Sequence, residues 1–274
     1  MTLVGGGAGR HRRGPSRRQT KSAACPLRAA FTAGLAAVLG VGCAGGAVEK
    51  PVTITVLAAA SLTDAFTEMG EAFSAERPEV QVRFNFGASS GLATQVLQGA
   101  PGDILAVADQ AAADAVVAAG EASAAPRVFA RNSMEIAVPV GNPGGVTGLG
   151  DFARPELLIG ACAEEVPCGR IARRLLHRAS VAPAIDTNEA DVRSLLTKIE
   201  AGELDAGLVY RSDVMAGEGA VEGIEVAGAA EVLASYPIVA LAGATAREEA
   251  QAFVAFVRSG EGQRILTGHG LLAR

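Results

Sequence analysis

The sequence contains little histidine and little cysteine, three and four residues respectively among 274. Beyond residue 42 the histidines are His177 and His269, and neither lies at a zinc-ligand spacing from a cysteine. A zinc site is therefore not expected. Internal repeats and low-complexity blocks are also absent. Hydrophobic residues make up 49% of the chain, which predicts one or two globular domains with a packed core.

Acidic residues are absent from the first 42 positions, although that stretch has seven basic residues. Removing those seven from the 24 basic residues leaves 17 against 29 acidic residues, a net charge of −12 for the rest of the chain. A nucleic-acid partner would need a basic surface, so this balance argues against one. Any anion site must also act against the negative field of the protein as a whole.

The basic start is followed by an apolar stretch of small residues over 29–42, and together they predict a secretory signal peptide at 1–42. The apolar stretch is too short to remain as a membrane-spanning helix. Cys43 follows directly, as at a bacterial lipoprotein cleavage site, which predicts lipid attachment at Cys43 and an anchored linker at 43–50. The protein would then be extracytoplasmic and anchored to the outer face of the cell membrane. The alternative is an ordinary signal peptide cleaved near Ala47.

The pairing of the remaining cysteines is open from sequence alone. Cys25 lies in the predicted leader, and acylation of Cys43 would leave Cys162 and Cys168 as one pair. In an oxidising compartment these two could form a disulfide that closes a short loop. The alternative is two reduced, buried thiols, since spacing does not establish geometry.

From Pro51 onward, short β-rich runs alternate with amphipathic helical patterns, which predicts an α/β fold with largely parallel strands. A Gly/Pro-rich turn at 141–150 indicates entry into a second lobe. We predict that lobe 1 comprises 51–130 and 238–274 and that lobe 2 comprises 131–237. Because the chain would cross between the lobes twice, this arrangement implies a hinge and a cleft.

The segment 58–64 reads AAASLTD and lies where the first predicted strand, 52–57, meets the first predicted helix, 61–75. Ser61 is expected to be the N-cap of that helix, with Asp64 completing a capping box. Free backbone N–H groups and the positive end of the helix dipole make such a position a ready anion site. A serine hydroxyl can donate to a ligand while it caps, although a plain cap is the alternative for Ser61.

A second turn of the same kind, GASSGL at 87–92, follows the next predicted strand. Ser89 lies between two glycines, which allow close approach of the backbone to a ligand. Two such turns at the carboxyl ends of neighbouring strands would face one crevice, where open α/β sheets bind ligands.

The same turn matches G-x-S-x-G, the nucleophile elbow of α/β-hydrolases, through Gly87, Ser89 and Gly91. Asp213 and His269 would then supply the other members of a catalytic triad, in the chain order of that fold. Against this alternative, only one strand of the domain precedes the elbow, and no glycine-rich oxyanion-hole segment comes before it.

Six segments together resemble the molybdate-binding proteins of ABC importers, and the resemblance covers essentially 52–272. They are ITVLAAASLTDAF from Ile54, GASSGLATQ from Gly87, APGDILAVAD from Ala100, VPCG from Val166, EADVRS from Glu189 and GLVYRSD from Gly207. The resemblance implies the two-lobed, type II periplasmic-binding-protein-like fold with a ligand cleft between the lobes. It also implies capture of molybdate or tungstate for an ABC import permease.

In that family two serines, two backbone amides of the second lobe and a tyrosine hydroxyl hold the anion, and the molybdenum has no direct protein ligand. By position, the resemblance assigns these roles to Ser61, Ser89, the amides of Cys168 and Val192, and Tyr210. A helix capped at Asn188 would enclose the Val192 amide, so this role requires the helix to begin one or two residues later.

The implied ligand is a fully ionised dianion at neutral pH, which can only accept hydrogen bonds. A shell of neutral donors suits it, whereas protonated phosphate would need a protein acceptor. Sulfate differs mainly in size, so a sulfate-binding protein stays open, and a sensor domain of the same two-lobed type is a further alternative. We expect a monomer without cofactor or catalytic residues. Its expected partners are the oxyanion, the ABC permease and, through the lipid anchor, the membrane.

Overall fold

The computed structural model describes residues 50–273, all within one compact unit. The predicted signal peptide at 1–42, the predicted lipid-attachment residue Cys43 and nearly all of the linker at 43–50 lie outside the described residues. Within the described part, no helix combines the length and the apolar character needed to cross a membrane.

The first lobe is built on a six-stranded sheet in the order β11-β4-β10-β3-β1-β2. Its strands are β1 (Val52–Ala59), β2 (Val80–Gly87), β3 (Ile104–Ala106), β4 (Arg127–Asn132), β10 (Ala234–Ala240) and β11 (Leu272–Ala273). β1 pairs in parallel with β2 and β3, whereas β10 runs antiparallel to β3 and β4. The helices of this lobe are α1 (Thr63–Glu76), α2 (Ser89–Leu97), α3 (Gln110–Ala118), α7 (Arg247–Val257) and α8 (Gly260–Gly268).

The second lobe is built on a five-stranded sheet in the order β7-β6-β8-β5-β9. Its strands are β5 (Met134–Pro139), β6 (Ile159–Cys162), β7 (Thr187–Glu189), β8 (Ala206–Tyr210) and β9 (Val221–Glu225). β6 pairs in parallel with β7 and β8, and β5 runs antiparallel to β8 and β9. The helices here are α4 (Pro167–Arg178), α5 (Val192–Glu200) and α6 (Arg211–Ala216).

Helix α1 packs one apolar face against the first sheet and the C-terminal helices. Phe66, Met69 and Phe73 recur at helical spacing on that face and are buried. The ring of Phe66 lies 5.7 Å from that of Phe129 in β4, and the ring of Phe73 lies 5.2 Å from that of Phe253 in α7. Burial of each ring contributes roughly 1.5–3 kcal/mol. This cluster therefore fixes the start of α1, and the turn before it, against the sheet.

The two sheets confirm the predicted two-lobed α/β fold. The expectation of largely parallel strands is wrong, because four of the nine strand pairings in 50–273 are parallel and five are antiparallel. The chain leaves the first sheet at Asn132, the end of β4, and returns to it at Ala234, the start of β10. The division into lobes at residues 130 and 237 stays a prediction. The elements that the sequence patterns did not predict are short or polar: β4, β7, β9, β11, α6 and α8.

Thr245 and Glu248 have the spacing that predicts a capping box at the start of α7. That prediction is wrong, because the cap position is Ala246 and no side chain caps the helix. The amide of Thr245 instead donates to Asp103 Oδ1 at 2.8 Å. The other oxygen of this buried carboxylate accepts from the amide of Thr55 at 2.8 Å. Asp103 therefore joins the segment before α7 to β1 of the first sheet.

Candidate ligand-binding site

A small cavity lies between the two lobes, with about 20 Å³ open to the centre of a water molecule. Lobe 1 forms its wall with the turns after β1, β2 and β3, and lobe 2 with the starts of α4 and α5 and the end of β8. The five residues that the resemblance assigns to the anion all contribute to this wall: Ser61, Ser89, Cys168, Val192 and Tyr210.

Ser61 lies in a single 3-10 turn, Ala60–Leu62, between β1 and α1. The expectation that it caps α1 is wrong, because Leu62 occupies the cap position and no side chain caps the helix. The buried Ser61 Oγ instead lies 2.8 Å from the Tyr236 hydroxyl. Asp64 does not complete a box with Ser61 and forms an ion pair with Arg193 of the second lobe.

Ser89 is the first residue of α2 and follows the extended residue Ala88. Its buried Oγ accepts a hydrogen bond from the amide of Ala108 at 2.9 Å, so the turn after β3 fixes the orientation of this side chain. The hydroxyl hydrogen is not used in that bond and remains available to a ligand.

Helix α4 begins at Pro167, so Cys168 and Gly169 occupy the second and third positions of its first turn. Their amides have no intrahelical acceptor, because the first intrahelical bond is donated by the amide of Arg170, and no side chain caps them. Gly169 packs so closely against the preceding loop that a Cβ there would lie 1.9 Å from the carbonyl oxygen of Ala163. This contact holds the start of α4 at the cavity wall.

Cys162 and Cys168 are joined by a disulfide in the structure, with their Cα atoms 5.8 Å apart. The bond connects the last residue of β6 to the first turn of α4. It therefore holds the first turn of α4, with the Cys168 amide, next to the C-terminal end of β6.

Val192 is the first residue of α5, and its amide has no intrahelical acceptor. The cap is Asp191, whose Oδ1 accepts from the amides of Arg193 and Ser194 at 2.9 Å each. The Asp191 carboxylate therefore does not accept a hydrogen bond from the Val192 amide, which stays free for a ligand. The helix begins beyond Asn188, which is the condition that the role assigned to the Val192 amide requires.

Tyr210 ends β8 and is buried, yet its hydroxyl oxygen has no hydrogen-bond partner within the described residues. Leaving a buried hydroxyl without a hydrogen-bond partner costs free energy, so a ligand in the cavity that bonded to this hydroxyl would remove that cost. Burial, with smaller effects from Tyr236 and Asp213, raises the pKa of Tyr210 well above its ordinary value. The group is thus a neutral hydrogen-bond donor at the cavity.

Behind Tyr210 lies a charged network that the sequence did not reveal. Asp213 is fully buried, and its Oδ2 accepts from the Tyr210 amide at 3.1 Å. Arg193 Nε lies 3.2 Å from Asp213 Oδ1, close enough for an ion pair although the angle is not that of a hydrogen bond. Because Arg193 also pairs with Asp64, one guanidinium connects the starts of α1, α5 and α6 across the two lobes.

The lobes are joined by a second ion pair. Arg170 in α4 contacts the carboxylate of Asp109, the N-cap of α3. Both arginines lie in the first turns of helices, where the helix dipole disfavours a cation. Each is neutralised by an acid from the opposite lobe, so the structure represents the lobes in contact.

The hydrolase alternative finds no support in the hydrogen bonds of residues 50–273. Ser89 Oγ accepts from an amide, and the ring of His269 bonds to Glu68 at 2.7 Å. Asp213 is engaged with Tyr210 and Arg193. None of these contacts joins two members of the supposed triad. The same residues also contain no group of three or more His, Cys, Asp or Glu side chains arranged for a metal ion.

The two lobes with a cavity between them define a solute-binding protein. The chain matches the family of bacterial extracellular solute-binding proteins over residues 54–272 and belongs to that family. It is 39% identical to the molybdate-binding protein ModA of Mycobacterium tuberculosis over 225 residues, which covers 82% of this chain and 86% of the relative. It is 33% identical to ModA of Escherichia coli over 197 residues, 67% of this chain and 75% of the relative.

Solved structures share the fold at lower identity. The periplasmic molybdate-binding protein of Azotobacter vinelandii has a TM-score of 0.72 at 16% identity, covering 81% of this chain and 99% of its own. The sulfate-binding protein SubI of Mycobacterium tuberculosis has a TM-score of 0.71 at 17% identity, covering 80% and 86%. Fold similarity alone therefore does not distinguish between these two oxyanions.

Proposed function

We propose that this protein captures molybdate or tungstate outside the cytoplasm and delivers it to an ABC import permease. The observation that carries the proposal is the donor character of the cavity. Three hydroxyl-bearing side chains and the free amides at the starts of α4 and α5 contribute to its wall. The relationship to molybdate-binding proteins in two organisms supports the choice of ligand.

The proposed ligand shell consists of the Ser61, Ser89 and Tyr210 hydroxyls and the amides of Cys168 and Val192. All are uncharged, so a dianion can be bound without a cationic side chain in direct contact. Each charge-assisted hydrogen bond contributes roughly 1.5–3 kcal/mol. Several such bonds together offset the loss of freedom on binding. The metal is bound only through the oxygens of the anion.

Hydrogen phosphate fits this shell poorly, since its proton would need an acceptor. The proposed shell consists of donors alone, and Asp191, the wall residue with a carboxylate, serves as the cap of α5 through Oδ1. An anion that keeps a proton would leave it unpaired, which costs roughly 1–3 kcal/mol. We therefore expect molybdate and tungstate to bind much more tightly than phosphate, and sulfate to be distinguished by size.

The remaining expectations belong to the same proposal. The protein acts as a monomeric binding protein and not as an enzyme, with lobe 1 at 51–130 and 238–274 and lobe 2 at 131–237. It is exported by the signal peptide at 1–42 and anchored to the membrane through a lipid on Cys43. Uptake of labelled palmitate by the wild type, and its loss in Cys43→Ala, would test the anchor.

Isothermal titration calorimetry of residues 44–274 with molybdate, tungstate, sulfate and phosphate tests the function. Ser61→Ala, Ser89→Ala and Tyr210→Phe should each weaken molybdate binding by between about tenfold and a hundredfold. Ser123→Ala is the matched control, because Ser123 Oγ donates to the carbonyl of Ala240 and does not line the cavity. Unchanged affinity in all three site variants, or no binding of molybdate by the wild type, would refute the proposal.

A further inference from the structure

Two buried polar residues lie behind the cavity wall and connect by hydrogen bonds to one of its hydroxyls. Tyr236 lies in β10 and Asn132 ends β4, and both are 0% exposed. Neither lines the cavity. The Tyr236 hydroxyl is 2.8 Å from Ser61 Oγ, and Asn132 Nδ2 is 3.3 Å from the Tyr236 hydroxyl and 2.8 Å from Ser212 Oγ. The three side chains Asn132, Tyr236 and Ser61 thus form a chain of hydrogen bonds that ends at the cavity.

The donor and acceptor in each of these hydrogen bonds can be assigned by starting from Asn132. The amide nitrogen of Asn132 has hydrogens and no acceptor capacity, so it donates and the Tyr236 oxygen accepts. A phenol has a single hydrogen, and Ser61 Oγ is the other polar atom within reach of it. Tyr236 therefore donates to Ser61. Burial raises the pKa of Tyr236 above its ordinary value, which keeps that hydrogen in place.

A serine that accepts from the protein keeps its own hydrogen for the ligand. Ser61 then resembles Ser89, which accepts from the amide of Ala108, and Tyr210, whose hydroxyl has no partner in 50–273. All three hydroxyls present hydrogens to the cavity. If the hydrogen bonds had the opposite direction, Ser61 would donate to Tyr236 and would turn a lone pair toward the ligand. That lone pair would repel a fully ionised oxyanion and would accept the proton of hydrogen phosphate.

We infer that Tyr236, oriented by Asn132, is a specificity-determining residue that fixes Ser61 as a donor and so favours unprotonated over protonated oxyanions. The inference rests on the proposed function, because it concerns the same cavity. Tyr236 acts through Ser61 and does not contact the anion, so its effect should be seen in the ratio of affinities for two anions.

The test compares molybdate with phosphate at pH 8, where both carry two charges and phosphate alone keeps a proton. Calorimetry should show that Tyr236→Phe weakens molybdate binding by about tenfold, since Ser61 is no longer held as a donor. Phosphate binding should weaken less or improve, because the released hydroxyl can accept a proton. The ratio of molybdate to phosphate affinity therefore falls. Phosphate affinities too weak for direct titration can be measured by competition against molybdate.

Asn132→Leu provides a second variant, because it removes the donor that directs the Tyr236 hydroxyl toward Ser61 and adds no charge. The bond between Tyr236 and Ser61 can then run in either direction, so the ratio should fall, though by less than in Tyr236→Phe. Ser123→Ala is again the control, since Ser123 Oγ bonds to the carbonyl of Ala240 and contacts neither Tyr236 nor Ser61.

An unchanged ratio in both variants would overturn the inference, as would tighter molybdate binding by Tyr236→Phe. Either result leaves the proposed function intact as long as the wild type binds molybdate. Should Tyr236→Phe fail to fold, judged by circular dichroism, the ratio in Asn132→Leu decides the question.

Discussion

Replacement of Arg193 by glutamine should destabilise the protein in a pH-dependent way, because Arg193 is the cation beside buried Asp213. Burial raises the pKa of Asp213 from its ordinary value of 3.8 to about 7, and Arg193 opposes that rise. Since the folded-state pKa lies above the unfolded one, the proton is bound more tightly by the folded protein. Stability from this group is complete below pH 3.8 and is lost as the pH rises to about 7, a change of about 4 kcal/mol.

Without Arg193 the Asp213 carboxyl should keep its proton well above pH 7. At pH 5 the group is protonated in both proteins, so the substitution removes mainly the half-exposed pair with Asp64, worth below about 1 kcal/mol. Above pH 7 the wild type gains from ionising Asp213 and the variant does not. Each pH unit then adds about 1.4 kcal/mol to the difference, which reaches roughly 3 kcal/mol near pH 9.

Urea unfolding followed by circular dichroism between pH 5 and 9 measures this difference. Arg178→Gln is the matched control, since the partner of Arg178 is the exposed Glu231 and its loss should have a small effect at every pH. Asp213→Asn combined with Arg193→Gln should abolish the pH dependence. A destabilisation by Arg193→Gln of equal size at pH 5 and pH 9 would refute the reasoning.

Two further predictions concern the start of α4. Gly169→Ala places a methyl group against the carbonyl of Ala163, so the helix start must shift and molybdate binding should weaken by tenfold or more in calorimetry. Unchanged binding would show that the first turn of α4 does not position the anion. Replacing Cys162 and Cys168 together by alanine opens a short loop and should lower the free energy of unfolding by about 2 kcal/mol in urea titrations. A double variant as stable as the wild type, or a wild type whose stability is unchanged by dithiothreitol, would contradict that expectation.

The sequence predicted the elements whose side chains alternate or recur clearly. The apolar run at 134–139 predicts a strand with the bounds of β5, and the helical spacing of Phe66, Met69 and Phe73 predicts the apolar face of α1. β4 was missed because its sequence, RVFARN, mixes arginines with the apolar residues. Helix α6 was missed because six residues are too few to show a period.

The local sequence gave a wrong prediction where a side chain bonds to a residue distant in the sequence. Ser61 has the sequence surroundings of a helix cap, yet its hydroxyl pairs with Tyr236, 175 residues away. The five assigned cavity residues came from resemblance to a family and not from periodicity or spacing. No local pattern predicts the contacts of Asn132, Arg193 and Asp213, because each contact joins residues that are far apart in the sequence.

The order of strands in the first lobe bears on how the chain acquires its structure. β10 lies between β3 and β4 in that sheet, although it comes after every strand of the second lobe in the chain. A polypeptide that emerges with its N-terminus first has therefore released all of β5 to β9 before the sheet of the first lobe has its middle strand. The second lobe is expected to fold first, because its contacts are close in sequence. Until β10 is released, the edge of β3 that β10 will cover has no partner strand and stays exposed to solvent.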